Sequence, residues 1–232
     1  MFKVSKIIIG LMLVFSSTMH AGEKSLYDFL WLDPDKKVYV LQNKLYKKEK
    51  SFYFDLGYIA NMTSKFQETN GLSFKGGYYF HEEWGIELFY QRYSNSNNDD
   101  FSNVRLLNEA VPFVRRLDST YGMAFIYSPF YGKINSFNKI FYFDWSFGAG
   151  YSKINANSNL KSVRIDNAPN SYEKESYNGA VLKTKVKFHI KENVHLGLEY
   201  INTYYMAPGP KDPGSEKLRT NTDIILSVGL SF

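Results

Sequence analysis

Lys183, Lys185 and Lys187 stand two residues apart in AVLKTKVKFHI (180–190). In an extended chain that spacing sends all three ammonium groups to one face. Like charges on one face repel unless carboxylates meet them, and the same alternation sends Asp55, Glu87, Asp144, Glu199 and Asp223 to the side that also carries Lys75. The chemistry to expect is a network of ion pairs, worth having only where each charge finds a partner. The alternative is that water solvates the same groups. Other reactive side chains are few. Beyond residue 21 the histidines are His81, His189 and His195, and the chain has no cysteine. His189 and His195 flank one hairpin and supply two metal ligands where a site needs three or four. No metal or other cofactor is expected, and each histidine reads as a hydrogen-bonding group rather than a base.

The elements that must position these residues repeat every two residues. SFYFDLGYIA (51–60), LSFKGGYYF (72–80), GIELFYQRY (85–93), TYGMAFIYS (120–128), KIFYFDWSFGAGY (139–151), AVLKTKVKFHI (180–190), VHLGLEYINTY (194–204) and TDIILSVGLSF (222–232) alternate for much of their length. These eight strands have roughly the nine to eleven residues that suit a tilted membrane strand. Short turns are expected at 81–84, around FYGKIN (130–135) and at 191–193, and long polar loops at about 61–71, 94–119, 152–179 and 205–221. Short turns at one end, long loops at the other and an even number of antiparallel strands predict an all-β, eight-stranded transmembrane β-barrel over 51–232.

A soluble barrel would alternate in the same way with its apolar face inside, so the polar face must decide. It carries Gly77, Gly148, Gly150, Gly197 and Gly229 among its charges. A water-exposed face has no need of missing side chains, whereas the lumen of an eight-stranded barrel alternates small with large residues to fill its taper. The opposite face is bulky and apolar: Phe52, Phe54, Leu56 and Tyr58, then Phe141, Phe143, Trp145 and Phe147, then Leu226, Val228 and Leu230. That face suits lipid. A lysine on the lipid side at mid-bilayer costs about 2–4 kcal/mol, so the lysines belong inside.

The two ends fit an exported barrel. MFKVSKIIIGLMLVFSSTMHA (1–21) has Lys3 and Lys6, an apolar run from Ile7 to Phe15 and small or polar residues to Ala21, the layout of a signal peptide cut after Ala21. The formal charge of +5 falls to +3 without Lys3 and Lys6, too mild to argue for nucleic acid. At the other end Gly229, Leu230 and the final Phe232 resemble the signal by which outer-membrane barrels are handed to the barrel assembly machinery, and strand 222–232 is expected to pair with 51–60 so that no edge remains. Residues 22–50 form an N-terminal arm on the periplasmic side. Tyr27, Phe29, Trp31 and Tyr39 make it too apolar to dangle in water, and DPDKK (33–37) reads as a turn. Asp33 and Asp35 offer too few oxygens for calcium. The arm is either a stopper under the barrel mouth or a docking segment for a periplasmic or envelope partner.

YDFLWLDPDKKVYVLQNKLYKKEKSFYFDLGY (27–58), SPFYGKI (128–134) and FDWSFGAGY (143–151) resemble the outer-membrane β-barrel domain family common in myxobacteria and related predatory bacteria. The resemblance implies a small closed barrel in the outer membrane of a Gram-negative cell, some members serving envelope-spanning assemblies, and it brings no catalytic motif. The function expected is a non-catalytic structural anchor or interaction component in contact with outer-membrane lipid and lipopolysaccharide. Three alternatives stay open. The long loops could form a surface for recognition or adhesion, with Arg105, Arg115 and Arg116 meeting lipopolysaccharide phosphates as bidentate donors. The barrel could be a small pore. It could also modify lipid A, although all three histidines fall near the periplasmic turns, away from outer-leaflet chemistry.

Overall fold

The computed structural model describes residues 44–108, 111–136, 139–164, 171–210 and 215–232. Eight antiparallel strands close into a barrel in sequence order: β1 (Ser51–Asn61), β2 (Gln67–Tyr79), β3 (Trp84–Asn97), β4 (Arg115–Ser136), β5 (Lys139–Ser158), β6 (Glu173–His189), β7 (Val194–Pro208) and β8 (Glu216–Ser231). Closure runs from Tyr53↔Ser231 to Asn61↔Asp223. Phe232 continues the seam, its amide donating to the Phe52 carbonyl at 2.8 Å and its carbonyl accepting from the Phe52 amide at 2.9 Å. No backbone edge is left on β1 or β8 over this stretch, which is what a strand in lipid requires.

Side chains alternate buried and exposed along each wall. The exposed set forms an apolar girdle: Phe54, Leu56 and Tyr58 on β1, Leu72 and Phe74 on β2, Leu88 and Tyr90 on β3, Tyr121, Met123 and Phe125 on β4, Phe147 and Tyr151 on β5, and Leu226, Val228 and Leu230 on β8. Inside, an apolar layer of Ile59, Phe89, Ile154, Val181, Ile201 and Ile225 lies nearer the long-loop end, and a charged layer lies nearer the short-turn end. The lumen glycines make the room for it. A Cβ at Gly77 would occupy the Tyr53 ring, and one at Gly229 would fall on the Asp55 carboxylate and His195.

The strands run further than alternation alone predicts, mostly toward the long loops. The expected loop 61–71 shrinks to 62–66, because β2 begins at Gln67. The other long loops hold two short helices among the described residues, α1 (Asp99–Asn108) and α2 (Leu160–Arg164). Helix α1 starts where Asn98 accepts a side-chain hydrogen bond from the Phe101 amide at 3.1 Å, with Asp99 and Asp100 in the favourable first turn. Asn159, ahead of α2, accepts from the Val114 amide at 2.8 Å and donates to the Pro112 carbonyl at 3.0 Å, tying that loop to the start of β4.

One turn is misplaced by the sequence reading. FYGKIN (130–135) is strand: β4 stays paired with β5 from Phe130↔Trp145 to Ser136↔Lys139. The neighbours stop earlier, β3 pairing with β4 only to Tyr127 and β6 with β5 only to Tyr142. The β4–β5 hairpin therefore projects beyond the wall at the short-turn end. Pro129 falls in the register shift between Tyr127 and Phe130, on the edge β3 has left, where a missing N–H breaks no ladder bond.

Candidate functional site

Asp55, Lys75, Glu87, Asp144, Lys183, Lys185, Lys187, Glu199 and Asp223 all face the barrel interior and are buried. Alternation alone puts them there, since a one-residue slip would reverse every strand. Lys75 pairs with Glu199, Lys183 with Glu87 and Lys185 with Asp55. Lys183 also reaches Glu199 at 2.9 Å. Lys187 is held differently, its ammonium 5.0 Å from the Tyr53 ring centre and 5.7 Å from that of Tyr79. Asp223 does not join the lysines. Nearer the long-loop end it accepts from Tyr93 at 2.7 Å, Asn61 at 2.7 Å and Asn221 at 2.9 Å, so hydrogen bonds do for it what ion pairs do for the others.

The network has members that alternation did not assign. His195 lies 2.6 Å from Asp55, and His189 lies 2.8 Å from Asp144. Tyr53 donates its hydroxyl to Glu87 at 2.7 Å. Both histidines share the face of Lys187 and Gly197, so the same period could have named them. Lys48 gave no such signal, because it precedes the first strand. Its buried ammonium nevertheless enters the short-turn mouth, donating to Asp144 at 2.7 Å and to the Ser128 hydroxyl at 2.8 Å. Around it, Tyr46 stacks on His189 at 4.3 Å, Glu82 accepts from the Lys48 amide at 3.0 Å, and Tyr131 accepts from the Leu45 amide at 3.1 Å. Lys50, with a φ of 59°, then turns the chain into β1.

The charged layer encloses a cavity of about 10 Å³ lined by Tyr53, Tyr79, Glu87, Asp144, Lys183 and Lys187, room for about one water. Among the described residues, no three His, Cys, Asp or Glu side chains group to hold a metal. What the arrangement can do chemically is neutralise buried charge and fill the bore.

The arginines expected at the surface divide. Arg105 on α1 is exposed. Arg116 donates to Asn97 at 2.8 Å and lies 4.3 Å from the Tyr172 ring centre. Arg115 is turned inward. Its guanidinium is turned into the long-loop mouth, donating to Glu175 at 2.9 Å and the Pro208 carbonyl at 2.9 Å, and its side chain is 7% exposed. Glu175 lies beyond the apolar girdle and outside the membrane span. Burial works against its charged form, but hydrogen bonds from Ser158 at 2.5 Å and from Arg115 outweigh it and hold the carboxyl below its ordinary range. The arm residues Tyr27, Phe29, Trp31 and Tyr39 lie outside the described residues, as does the expected leader.

A family model described as outer membrane protein beta-barrel domain matches residues 42–232. No curated protein matches the chain. Among solved structures, the N-terminal β-barrel domain of Pseudomonas aeruginosa OprF is similar at 12% identity and a TM-score of 0.49, covering 79% of this chain and 98% of that one. Neisserial surface protein A is similar at 18% identity and a TM-score of 0.45, with 79% and 98% covered. The attachment invasion locus protein Ail of Yersinia pestis is similar at 14% identity and a TM-score of 0.43, with 79% and 99% covered.

Proposed function

Because the chain belongs to the outer membrane protein β-barrel domain family, we propose that it is a closed, non-catalytic barrel that anchors a component of the cell envelope in the outer membrane. Its short turns then face the periplasm and its long loops the outside. The observation that carries this reading is Lys48. By pairing with Asp144 inside the barrel, it fastens the arm at residues 44–50 to the periplasmic mouth, so whatever the rest of the arm engages is held by the wall. The filled lumen supports an anchor over a pore, and the hydrogen-bond chain from Ser231 through His195 to Asp55 stands at the short-turn end, away from the outer leaflet where lipid A chemistry would be needed. The proposal includes a leader removed after Ala21, an assembly signal at Gly229, Leu230 and Phe232, and contact with lipopolysaccharide and the barrel assembly machinery. The motif at 27–58 supports the myxobacterial and predatory-bacterial branch of the family.

A second reading, surface recognition or adhesion, draws on α1. That helix presents Leu106 and Leu107 to solvent beside Arg105, apolar side chains that a polar loop has no reason to display. Cross-linking mass spectrometry on intact cells separates the two, with Lys36, Lys37, Lys44, Lys47 and Lys50 as reporters. Reproducible links from the arm to another envelope protein are the expected result. Links confined to this chain would sink the anchor and move attention to the outer loops.

A further inference from the structure

The projecting β4–β5 hairpin leaves its backbone open at the short-turn end of the described barrel. Beyond the Ser128 amide, which donates to the Glu83 carbonyl at 2.7 Å, β4 has no strand beside it on the β3 side. Toward the tip Ile140 is exposed, but beside the barrel mouth the inner face is covered: Tyr131 accepts from the Leu45 amide at 3.1 Å, and Tyr142 packs against Tyr46 at 5.6 Å. The outer face is not. The register puts Phe130, Ile134, Phe141 and Phe143 on one side of the ribbon, and Phe130, Ile134 and Phe141 are 53%, 48% and 39% exposed.

Three occupants could cover such a ribbon, and the geometry separates them. Lipid is excluded by the backbone, because an open sheet edge does not occur in the hydrocarbon region. The hairpin therefore stands in water with an apolar face uncovered. A second copy fits poorly, since two barrels in one membrane carry β4 in the same direction and could join edges only as a parallel pair, the weaker ladder. An extended segment of another protein satisfies both open features at once, pairing with the edge and burying the apolar face. Charge specifies its chemistry. From Ser128 to Phe143 the chain carries Lys133 and Lys139 and no acid.

We propose that the β4 edge at 129–135, with the outer face of the hairpin, is a docking site for an extended, acidic and apolar segment of a periplasmic protein, which adds to the sheet as a further strand. This rests on the anchor reading and supplies it with a second point of attachment besides the arm.

The test uses the full chain in its own outer membrane, with the photoreactive residue p-benzoylphenylalanine in place of Phe130, Ile134 or Phe141, and in place of Leu88 as a lipid-facing control. The expected result is a shared protein adduct at the hairpin positions and none at Leu88. The cross-linked peptide of the partner carries net negative charge, and the adduct falls about ten-fold or more in a Lys133→Glu, Lys139→Glu variant. Both lysines lie outside the barrel wall, and unchanged heat-dependent gel mobility shows that the variant still folds. Lipid adducts alone, a dimer of this chain, or a protein adduct insensitive to charge reversal overturn the docking site. So does the absence of an adduct. If links from Lys44, Lys47 and Lys50 to an envelope protein persist in that case, the anchor survives and only the hairpin site falls; if they too are absent, both fall.

Discussion

Replacing Lys183 with methionine tests whether the bore is held by ion pairs or merely wet. The substitution keeps the length of the side chain and removes an ammonium placed between Glu87 and Glu199. The three side chains are 3%, 1% and 0% exposed, so water cannot take its place cheaply. Glu199 keeps Lys75, but Glu87 is left with the Tyr53 hydroxyl as its hydrogen-bond donor. Removing one partner of a buried pair costs about 3–5 kcal/mol, roughly two to four orders of magnitude in the folding equilibrium. The assay is urea unfolding of the barrel in lipid vesicles, followed by the gel mobility of folded and unfolded forms. Adding Glu87→Gln to Lys183→Met removes the stranded carboxylate and should recover part of the loss. A single-variant loss below about 1 kcal/mol, the range of exposed pairs, would refute the reasoning and make the lumen a solvated one.

Gly229→Ala should lower the folded yield, because its Cβ would meet the Asp55 carboxylate, His195 and the Phe54 carbonyl; an overpacked site of this kind costs about 1–3 kcal/mol, read from the same urea midpoint. Lys48→Met should leave the barrel wall folded while residues 44–50 become faster to cleave by trypsin at Lys44 and Lys47, as Asp144 loses its contact with the segment. At the outer mouth, the depressed Glu175 carboxyl contributes stability that is present above its unfolded pKa and lost as pH falls through its lower folded value. Protection factors of the amides in 173–177, which correct for the slower intrinsic exchange in acid, should therefore fall on acidification of the native protein, and Glu175→Gln should flatten that dependence.

How far the sequence could be read followed from what its period encodes. Period two fixes a side chain's face, so the burial of Lys183, Lys185 and Lys187, the lipid-facing girdle and the β1–β8 seam were legible. Partner choice was not: Asp223 shares the face of the other acids, yet at its level the bore offers Tyr93, Asn61 and Asn221. Lys48 was invisible because it lies outside any periodic stretch. The hairpin was misread for a physical reason. Pro129, Gly132 and Asn135 have turn composition, but here the proline sits on an open edge and the glycine leaves room for the Phe143 ring. The outer helices escaped because Asn98 looks like a loop residue until it is seen to cap the Phe101 amide, and Asn159 until it is seen to tie its loop to Val114.

The charge partners of the bore do not sit on neighbouring strands in most cases. Asp55 on β1 meets Lys185 on β6, Lys75 on β2 meets Glu199 on β7, and Glu87 on β3 meets Lys183 on β6. In a half-built, open sheet these groups lie several strands apart, and they come within reach only when the cylinder closes. A strand that slipped by one residue would instead turn its lysines to lipid, at about 2–4 kcal/mol each at mid-bilayer. The interior thus works as a checksum on assembly: contacts between neighbours such as Lys183–Glu199 and His189–Asp144 can form early, but the pairs across the bore are complete only when every strand has arrived in the right place.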